Sequence, residues 1–138
     1  MSRATRFSIA VHMLALIESP GECRLSSVDI AASVGTNASF VRRVLSMLAK
    51  AKLIHSAAGI TGATLARPPE KIMLLDVYRA VGLEGGHRPA IHDNTNPGCP
   101  IGRRIGHALA TMLDAAESAF EKELAGRSLA DVLELIHA

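Results

Sequence analysis

The chain has 138 residues, of which 49% are hydrophobic, and its formal net charge is +2. This length suits one ordinary domain, or a small domain with an added helical arm, and the apolar fraction excludes a largely disordered chain. With three phenylalanines, one tyrosine and no tryptophan, the chain is not expected to stack single-stranded nucleic acid on aromatic platforms. Because it has no long apolar run and no secretion signal, we expect it in the cytoplasm.

The first predicted element is a helix over residues 5–18, in which apolar residues recur at helical spacing. The Pro20–Gly21 pair is expected to end this helix. Ser26 and Asp29 then have the spacing of a capping box, so a second helix is predicted to begin there.

The segment from Ser27 to Leu53 predicts a helix-turn-helix. Gly35 allows a tight turn without steric cost, and Asn37 can cap the helix that follows. With Gly35 in the turn, one inner face collects the apolar residues of both helices. These are Ile30, Ala31, Val34, Val41, Val44 and Leu48. The alternative is an antiparallel helix pair that only fills a core.

The outer face of the second helix is the predicted DNA-binding surface, because polar and cationic residues remain free there to enter a major groove. Arg42 and Arg43 are the best candidates for guanine contacts, since a guanidinium group can bind guanine O6 and N7 together. Basic residues gather in the first 52 positions, as expected of a protein that binds phosphates at one end. The other predicted DNA-binding residues of this unit are Ser27, Asn37, Ser39, Phe40, Ser46 and Lys50.

Two short strands, 53–56 and 64–66, are predicted after the second helix. The glycine-containing segment between them is typical of a hairpin. A hairpin in this place makes a winged helix-turn-helix, in which the wing can lie along a neighbouring minor groove.

A fourth helix over 72–81 and a loop over 82–100 are predicted next, because Pro68–Pro69 ends the wing and several glycines and prolines fill the loop. A long helix from about Ile101 to Leu124 follows. Ser128 is expected to cap a final helix over 129–136.

The long helix predicts a homodimer. Its apolar residues repeat at spacings of three and four. At about 36 Å, the helix is too long to be covered by the DNA-binding domain of the same chain alone, which is called the head below and comprises residues 1–82. A twofold dimer would present two recognition helices to a pseudo-palindromic site. The alternative is a helix folded back onto its own winged domain. The predicted dimerisation residues are Ile105, Leu109, Met112, Ala116 and Phe120.

Cys99 lies just before the long helix and is the predicted sensor. The positive end of the helix dipole and the nearby Arg103 favour a thiolate there, which an oxidant could convert to a sulfenic acid or a mixed disulfide. His92, beside Asp93, is the second predicted sensor residue, for tuning Cys99 or binding a small-molecule effector. The alternative is that Cys99 is only a small residue that fits a helix cap. Cys23 is expected to be an ordinary, partly buried thiol.

Five segments together resemble the Rrf2 family of bacterial transcription regulators; they are Thr5–His12, Ser27–Ala31, Phe40–Leu45, Leu65–Pro68 and Leu74–Val81. The resemblance covers nearly the whole chain. It implies a homodimeric winged-helix repressor whose long helix crosses that of its partner.

The chain departs from the family pattern in two places. Cluster-binding members carry three cysteines in the loop before the dimer helix, because thiolates hold iron-sulfur clusters, whereas this loop offers Cys99 alone. We therefore expect no cofactor and no metal, as in the branch of the family with one cysteine. The wing has no arginine beside its glycines, so Thr61 and the backbone at Gly62 are predicted to contact phosphate instead.

We accordingly predict a mainly α fold, a winged helix-turn-helix with a small two-stranded β wing and a long C-terminal dimerisation helix. The expected divisions are a DNA-binding domain over 1–82, a sensor loop over 83–100, and the dimerisation and C-terminal helices over 101–138. The partners are double-stranded DNA and a second copy, with an oxidant or small molecule as effector. The alternatives are a winged-helix protein-interaction module and a regulator that takes a small molecule or metal near His92 and Cys99. No catalytic residues are predicted, because no oxyanion-hole or paired-carboxylate pattern is present.

Overall fold

The computed structural model describes residues 3–19, 26–55, 63–86 and 88–138, and this part of the chain is mainly helical. The elements in chain order are α1 (Arg3–Glu18), α2 (Ser27–Val34), α3 (Ala38–Lys50), β1 (Ile54–His55), β2 (Thr64–Leu65), a 3-10 helix (Pro69–Lys71), α4 (Leu74–Ala80), α5 (Pro100–Ala125) and α6 (Leu129–Ile136). None of these helices is long and apolar enough to span a membrane. The predicted turn at Pro20–Gly21 and the residue Cys23 lie outside the described residues.

The core of the head is formed where α1, α2 and α3 pack together. Apolar residues at helical spacing supply it, because such residues share one face of a helix. Fully buried members are Ala10, Met13, Leu14, Ile30, Val41, Val44 and Leu48. The inner face predicted for the helix-turn-helix is therefore confirmed, with Val34 half-buried at its edge.

Side-chain hydrogen bonds fix the starts of α2 and α3, and a glycine ends α2. The Ser26 hydroxyl caps α2 by accepting from the Asp29 N–H at 3.1 Å, and Asn37 Oδ1 caps α3 by accepting from the Phe40 N–H at 2.9 Å. Gly35 ends α2 with a φ of 76°, a left-handed conformation that favours glycine. All three positions are those that the sequence predicts.

The wing is confirmed as an antiparallel pair of strands, of which β1 begins one residue later and β2 ends one residue earlier than predicted. Ile54 pairs with Leu65 and His55 with Thr64. The base of the wing is fixed by the buried Leu53, whose carbonyl accepts from the Ala66 N–H at 2.9 Å. The tip, including Thr61 and Gly62, lies outside the described residues.

The chain returns to the head after α5. Met73 and Ser128 form an antiparallel backbone bridge, and the Leu129 N–H donates to the Ile72 carbonyl at 2.8 Å. Ser128 and Asp131 form a capping box that starts α6, as the spacing predicts. The end of α5 is thereby joined to the residues that precede α4.

This backbone pairing corrects the predicted fourth helix. Residues 72 and 73 are extended rather than helical, because they pair with the segment that returns from α5. Ile72 is fully buried there, and α4 begins only at Leu74. A contact with residues more than fifty positions away is not visible in local helical periodicity.

Candidate nucleic-acid interface

The outer side of α3 is an exposed polar face. Its members are Ser39, Arg42, Arg43, Ser46 and Lys50, all exposed to solvent. At 100° per residue they fall on one side of the helix and extend along about 16 Å of its axis. The opposite side is locked into the core, so this face is held outward as a rigid surface.

The charge around this face is uncompensated. Residues 30–69 contain no Asp or Glu, whereas they contain Arg42, Arg43, Lys50, Lys52 and Arg67. Arg67 has an ion pair with Asp76 at 3.6 Å, but within the described residues the two arginines and two lysines of 42–52 have none. A cationic surface without nearby carboxylates attracts a polyanion such as duplex DNA.

The remaining predicted residues of this unit occupy different environments. Asn37 is exposed at the N-terminus of α3 and Ser27 is half-buried at the first residue of α2.

Phe40 was predicted wrongly as a DNA-binding residue. Its side chain is only 6% exposed and belongs to the hydrophobic core, together with Val44 and Leu48 one and two turns later. Spacing of four places residues on the same helix face, so this periodicity could have assigned Phe40 to the inner side.

Lys52 is a surface cation outside the predicted set of DNA-binding residues. It follows the last turn of α3 and has a φ of 62°. Its N–H donates to Ala49 O and the Leu53 N–H donates to Leu48 O, both at 3.0 Å, which is the hydrogen-bond pattern of a Schellman motif. The left-handed conformation costs a residue with a Cβ about 1–2 kcal/mol. The sequence signal that could have indicated this left-handed residue is a predicted helix that a predicted strand follows directly, with no glycine between them.

The residues before α5 form a compact junction around Cys99. The half-buried Cys99 is the N-cap of α5, and its Sγ accepts from the Gly102 N–H at 3.5 Å. The Cys99 N–H donates to the Asn96 carbonyl at 3.1 Å. A Cβ on Gly102 would lie 3.0 Å from that carbonyl oxygen, so the loop packs closely on the first turn of the helix.

The predicted sensor residues are not joined into one hydrogen-bonded group. Arg103 has an exposed side chain, and its backbone N–H donates to the Cys99 carbonyl at 3.0 Å. His92 is also exposed, and within residues 88–138 no hydrogen bond joins it to Cys99. The structure thus gives Cys99 a capping role.

Two sides of α5 differ in their surroundings. Half-buried residues, among them Leu109 and Leu113, lie on the side that faces the head, and Ile105 lies at its edge. Phe120, predicted for the dimer, contacts Tyr78 of its own head with ring centroids 5.6 Å apart. The other side is an exposed apolar stripe of Ile101, Ala108, Met112, Ala115, Ala116 and Ala119. Ile101 and Met112 are 75% and 73% exposed.

Comparison with known proteins gives consistent similarities. A model of the Rrf2 family, described as iron-dependent transcriptional regulators, matches residues 3–135. YwnA of Bacillus subtilis (strain 168), named as a candidate HTH-type transcriptional regulator, is 43% identical over 129 residues, which are 94% of this chain and 95% of YwnA.

Solved structures show the same fold. The crystal structure of a candidate DNA-binding protein is 41% identical, with a TM-score of 0.73, and the match covers 93% of this chain and 98% of that chain. T. potens IscR is 20% identical with a TM-score of 0.66, over 97% and 87% of the two chains. The mainly helical winged fold predicted from the sequence is confirmed.

The donor groups near α5 do not fit the iron that the family description mentions. Iron-sulfur clusters are held by several thiolates, and the chain has Cys23 and Cys99 as its two cysteines. Within the described residues no three His, Cys, Asp or Glu side chains are placed to hold a metal ion. We therefore include no iron-dependent step in the function proposed below.

Proposed function

Since this chain belongs to the Rrf2 family of transcriptional regulators, we propose that it acts as a homodimeric repressor that inserts α3 of each subunit into the major groove of its operator. The proposed place of action is the bacterial cytoplasm, where the chromosome lies. No enzymatic activity is assigned to the chain.

The observation that carries this proposal is the exposed face of α3. Arg42 and Arg43 have no carboxylate partner within the described residues, and the core holds the opposite side of the helix. Guanidinium groups on such a face can bind guanine in the groove, and Ser39 and Ser46 can reach bases or phosphates beside them. The lack of any carboxylate in residues 30–69 favours duplex DNA over a neutral partner surface.

A second copy is the proposed occupant of the exposed apolar stripe on α5. The stripe runs from Ile101 to Ala119, and large exposed apolar patches of this kind mark interaction surfaces. A twofold pair of α5 helices would set the spacing of the two α3 helices at about one turn of DNA, roughly 34 Å. Two heads on one operator bind more tightly than one, because the second contact is intramolecular.

The loop over 83–100 is the proposed sensor region between the DNA-binding head, 1–82, and the dimerisation segment, 101–138. Oxidation of Cys99 would add an oxygen atom, or a second thiol in a mixed disulfide, to the sulfur that accepts from Gly102, and would so enlarge the capping group. Because Asn96 already packs tightly on Gly102, the junction would have to rearrange and the two heads would change their spacing. An oxidant is therefore the proposed effector.

Selection of bound fragments from genomic DNA tests the proposal. The purified protein should enrich a small set of fragments that share a pseudo-palindromic sequence. The double variant Arg42→Ala, Arg43→Ala keeps the inner face of α3 intact and should enrich none. Equal enrichment by both proteins, or no enrichment by the wild type, would exclude the proposed role of α3.

A winged-helix interaction module would behave differently in the same experiment. Its apolar contacts would tolerate salt, whereas phosphate contacts weaken steeply as salt concentration rises. A module without a DNA-binding role would retain no duplex in the selection, and a wash series of increasing salt should release any retained duplex only where phosphate contacts hold it.

A further inference from the structure

We propose that Lys52 binds a phosphate of the operator duplex, and that this contact explains why a lysine occupies a left-handed backbone position at the end of α3. Because a phosphate contact presupposes duplex binding, this role rests on the proposed function.

Other helices of the same chain end in the same way but with glycine. After α4, Gly82 has a φ of 75°, its N–H donates to Arg79 O at 3.0 Å, and the Leu83 N–H donates to Tyr78 O at 3.1 Å. Gly35, after α2, has a φ of 76°. Lys52 occupies the position at α3 that Gly82 occupies at α4, so glycine would satisfy the backbone there equally well.

Among the described residues, the side chain of Lys52 makes no polar contact that would offset this strain. Residue 52 is exposed, and within the described residues its ammonium group has no hydrogen bond and no ion pair. The Schellman hydrogen bonds are made by backbone atoms alone. The negative end of the α3 dipole favours a cation here, but Lys50 already supplies one in the last turn. A second lysine in a strained backbone position therefore points to a benefit in binding.

The place of Lys52 in the chain suits a phosphate. It lies two residues beyond Lys50, the last residue of α3, and two residues before β1, which is the first strand of the wing. If α3 lies in a major groove and the wing beside a minor groove, this junction faces the sugar-phosphate strand between the two grooves. A lysine there is a mobile point charge on a long stem, suited to a phosphate rather than to a base edge.

Three substitutions at position 52 separate charge from backbone strain. Lys52→Gly removes both, Lys52→Asn removes the charge and tolerates the left-handed conformation, and Lys52→Arg keeps the charge and the strain. Lys71→Ala is the matched control, because Lys71 is also exposed, lies outside the carboxylate-free segment and follows Glu70 directly. The probes are an operator fragment from the selection and a duplex of scrambled sequence.

We expect Lys52→Gly to raise the midpoint of thermal unfolding by about 4 °C while it weakens binding to the operator about five- to tenfold at 0.1 M salt. The plot of log affinity against log salt should become shallower for both duplexes, by about 0.9 in slope for each subunit. Lys52→Asn should weaken binding similarly. Lys52→Arg and Lys71→Ala should keep the wild-type affinity and slope.

Wild-type affinity and slope in Lys52→Gly would overturn the phosphate contact while leaving the proposed function intact. An equal loss in Lys71→Ala would overturn it too, because any surface cation would then serve. A lower unfolding midpoint in Lys52→Gly would show that the lysine is not strained in its left-handed position, and would overturn the proposal because no strain would then need explaining. Absence of duplex binding by the wild type would instead contradict the proposed function itself.

Discussion

The Tyr78 ring on α4 meets the Phe120 ring on α5 edge to face, with 5.6 Å between the ring centroids. Phe7 on α1 contacts the same tyrosine at 5.9 Å. These three rings join the first helix of the head to the long C-terminal helix. The backbone pairing at Ser128 makes a second connection at the end of α5. A change in the direction of α5 should therefore be transmitted to the head rather than absorbed by a loose linker.

Phe120→Ala should lower the free energy of unfolding by about 1–2 kcal/mol. The value is below that of a fully buried phenylalanine because this ring is 38% exposed, but the edge contact with Tyr78 is lost. Urea denaturation followed by circular dichroism measures it. A stability equal to the wild type would show that the aromatic contact does not hold α5 to the head.

Met112→Glu should convert the proposed dimer to a monomer. It places a charge in the middle of the exposed apolar stripe, where a partner would have to bury it unpaired. His107→Glu adds the same charge to the exposed polar side of α5, where none of its neighbours three or four residues away belongs to the stripe, and should leave the dimer intact. Analytical ultracentrifugation compares the two variants with the wild type. A wild-type protein that is monomeric at all concentrations would contradict the assigned dimer surface.

Asn37→Ala should destabilise the helix-turn-helix by about 1 kcal/mol, because the Phe40 N–H loses its side-chain acceptor. Asn37→Ser keeps a capping oxygen and should recover most of this loss. The free energy of unfolding from urea titration distinguishes them. Identical losses in both variants would mean that the cap contributes nothing and that the amide has another role.

Hydrogen peroxide should change the operator affinity of the wild type and leave that of Cys99→Ser unchanged. The serine variant keeps a small capping side chain at the start of α5, and Cys23 is present in both proteins as an internal control. Fluorescence anisotropy with and without peroxide gives the comparison. An equal response in the two proteins, or no response in either, would show that Cys99 is not an oxidant sensor.

The sequence is sufficient for features that depend on near neighbours. Asn37 and Gly35 act within one turn of the chain, and the inner face of α3 follows from its 3.6-residue period. The extent of the long helix α5 and the cap of α6 at Ser128 are of the same kind. Apart from Phe40, such features were therefore predicted at the positions where the structure has them.

Features that depend on distant residues were not accessible in this way. The pairing of Met73 with Ser128 shortens α4, although the local pattern continues as a helix. The apolar residues of α5 divide between the head and solvent, and periodicity alone does not tell which side receives Phe120. The left-handed backbone at Lys52 is hidden for another reason, because a lysine there gives none of the usual signals of a helix end.

The most direct test of the account is the affinity of the wild type and of the Arg42→Ala, Arg43→Ala variant for a selected operator, measured over 50–200 mM salt. We expect wild-type affinity to fall by about 10³-fold or more over this range, and the variant to bind at least tenfold more weakly with a shallower slope. A wild-type affinity that is independent of salt, or a variant that binds as tightly as the wild type, would contradict the claim that the outer face of α3 reads duplex DNA.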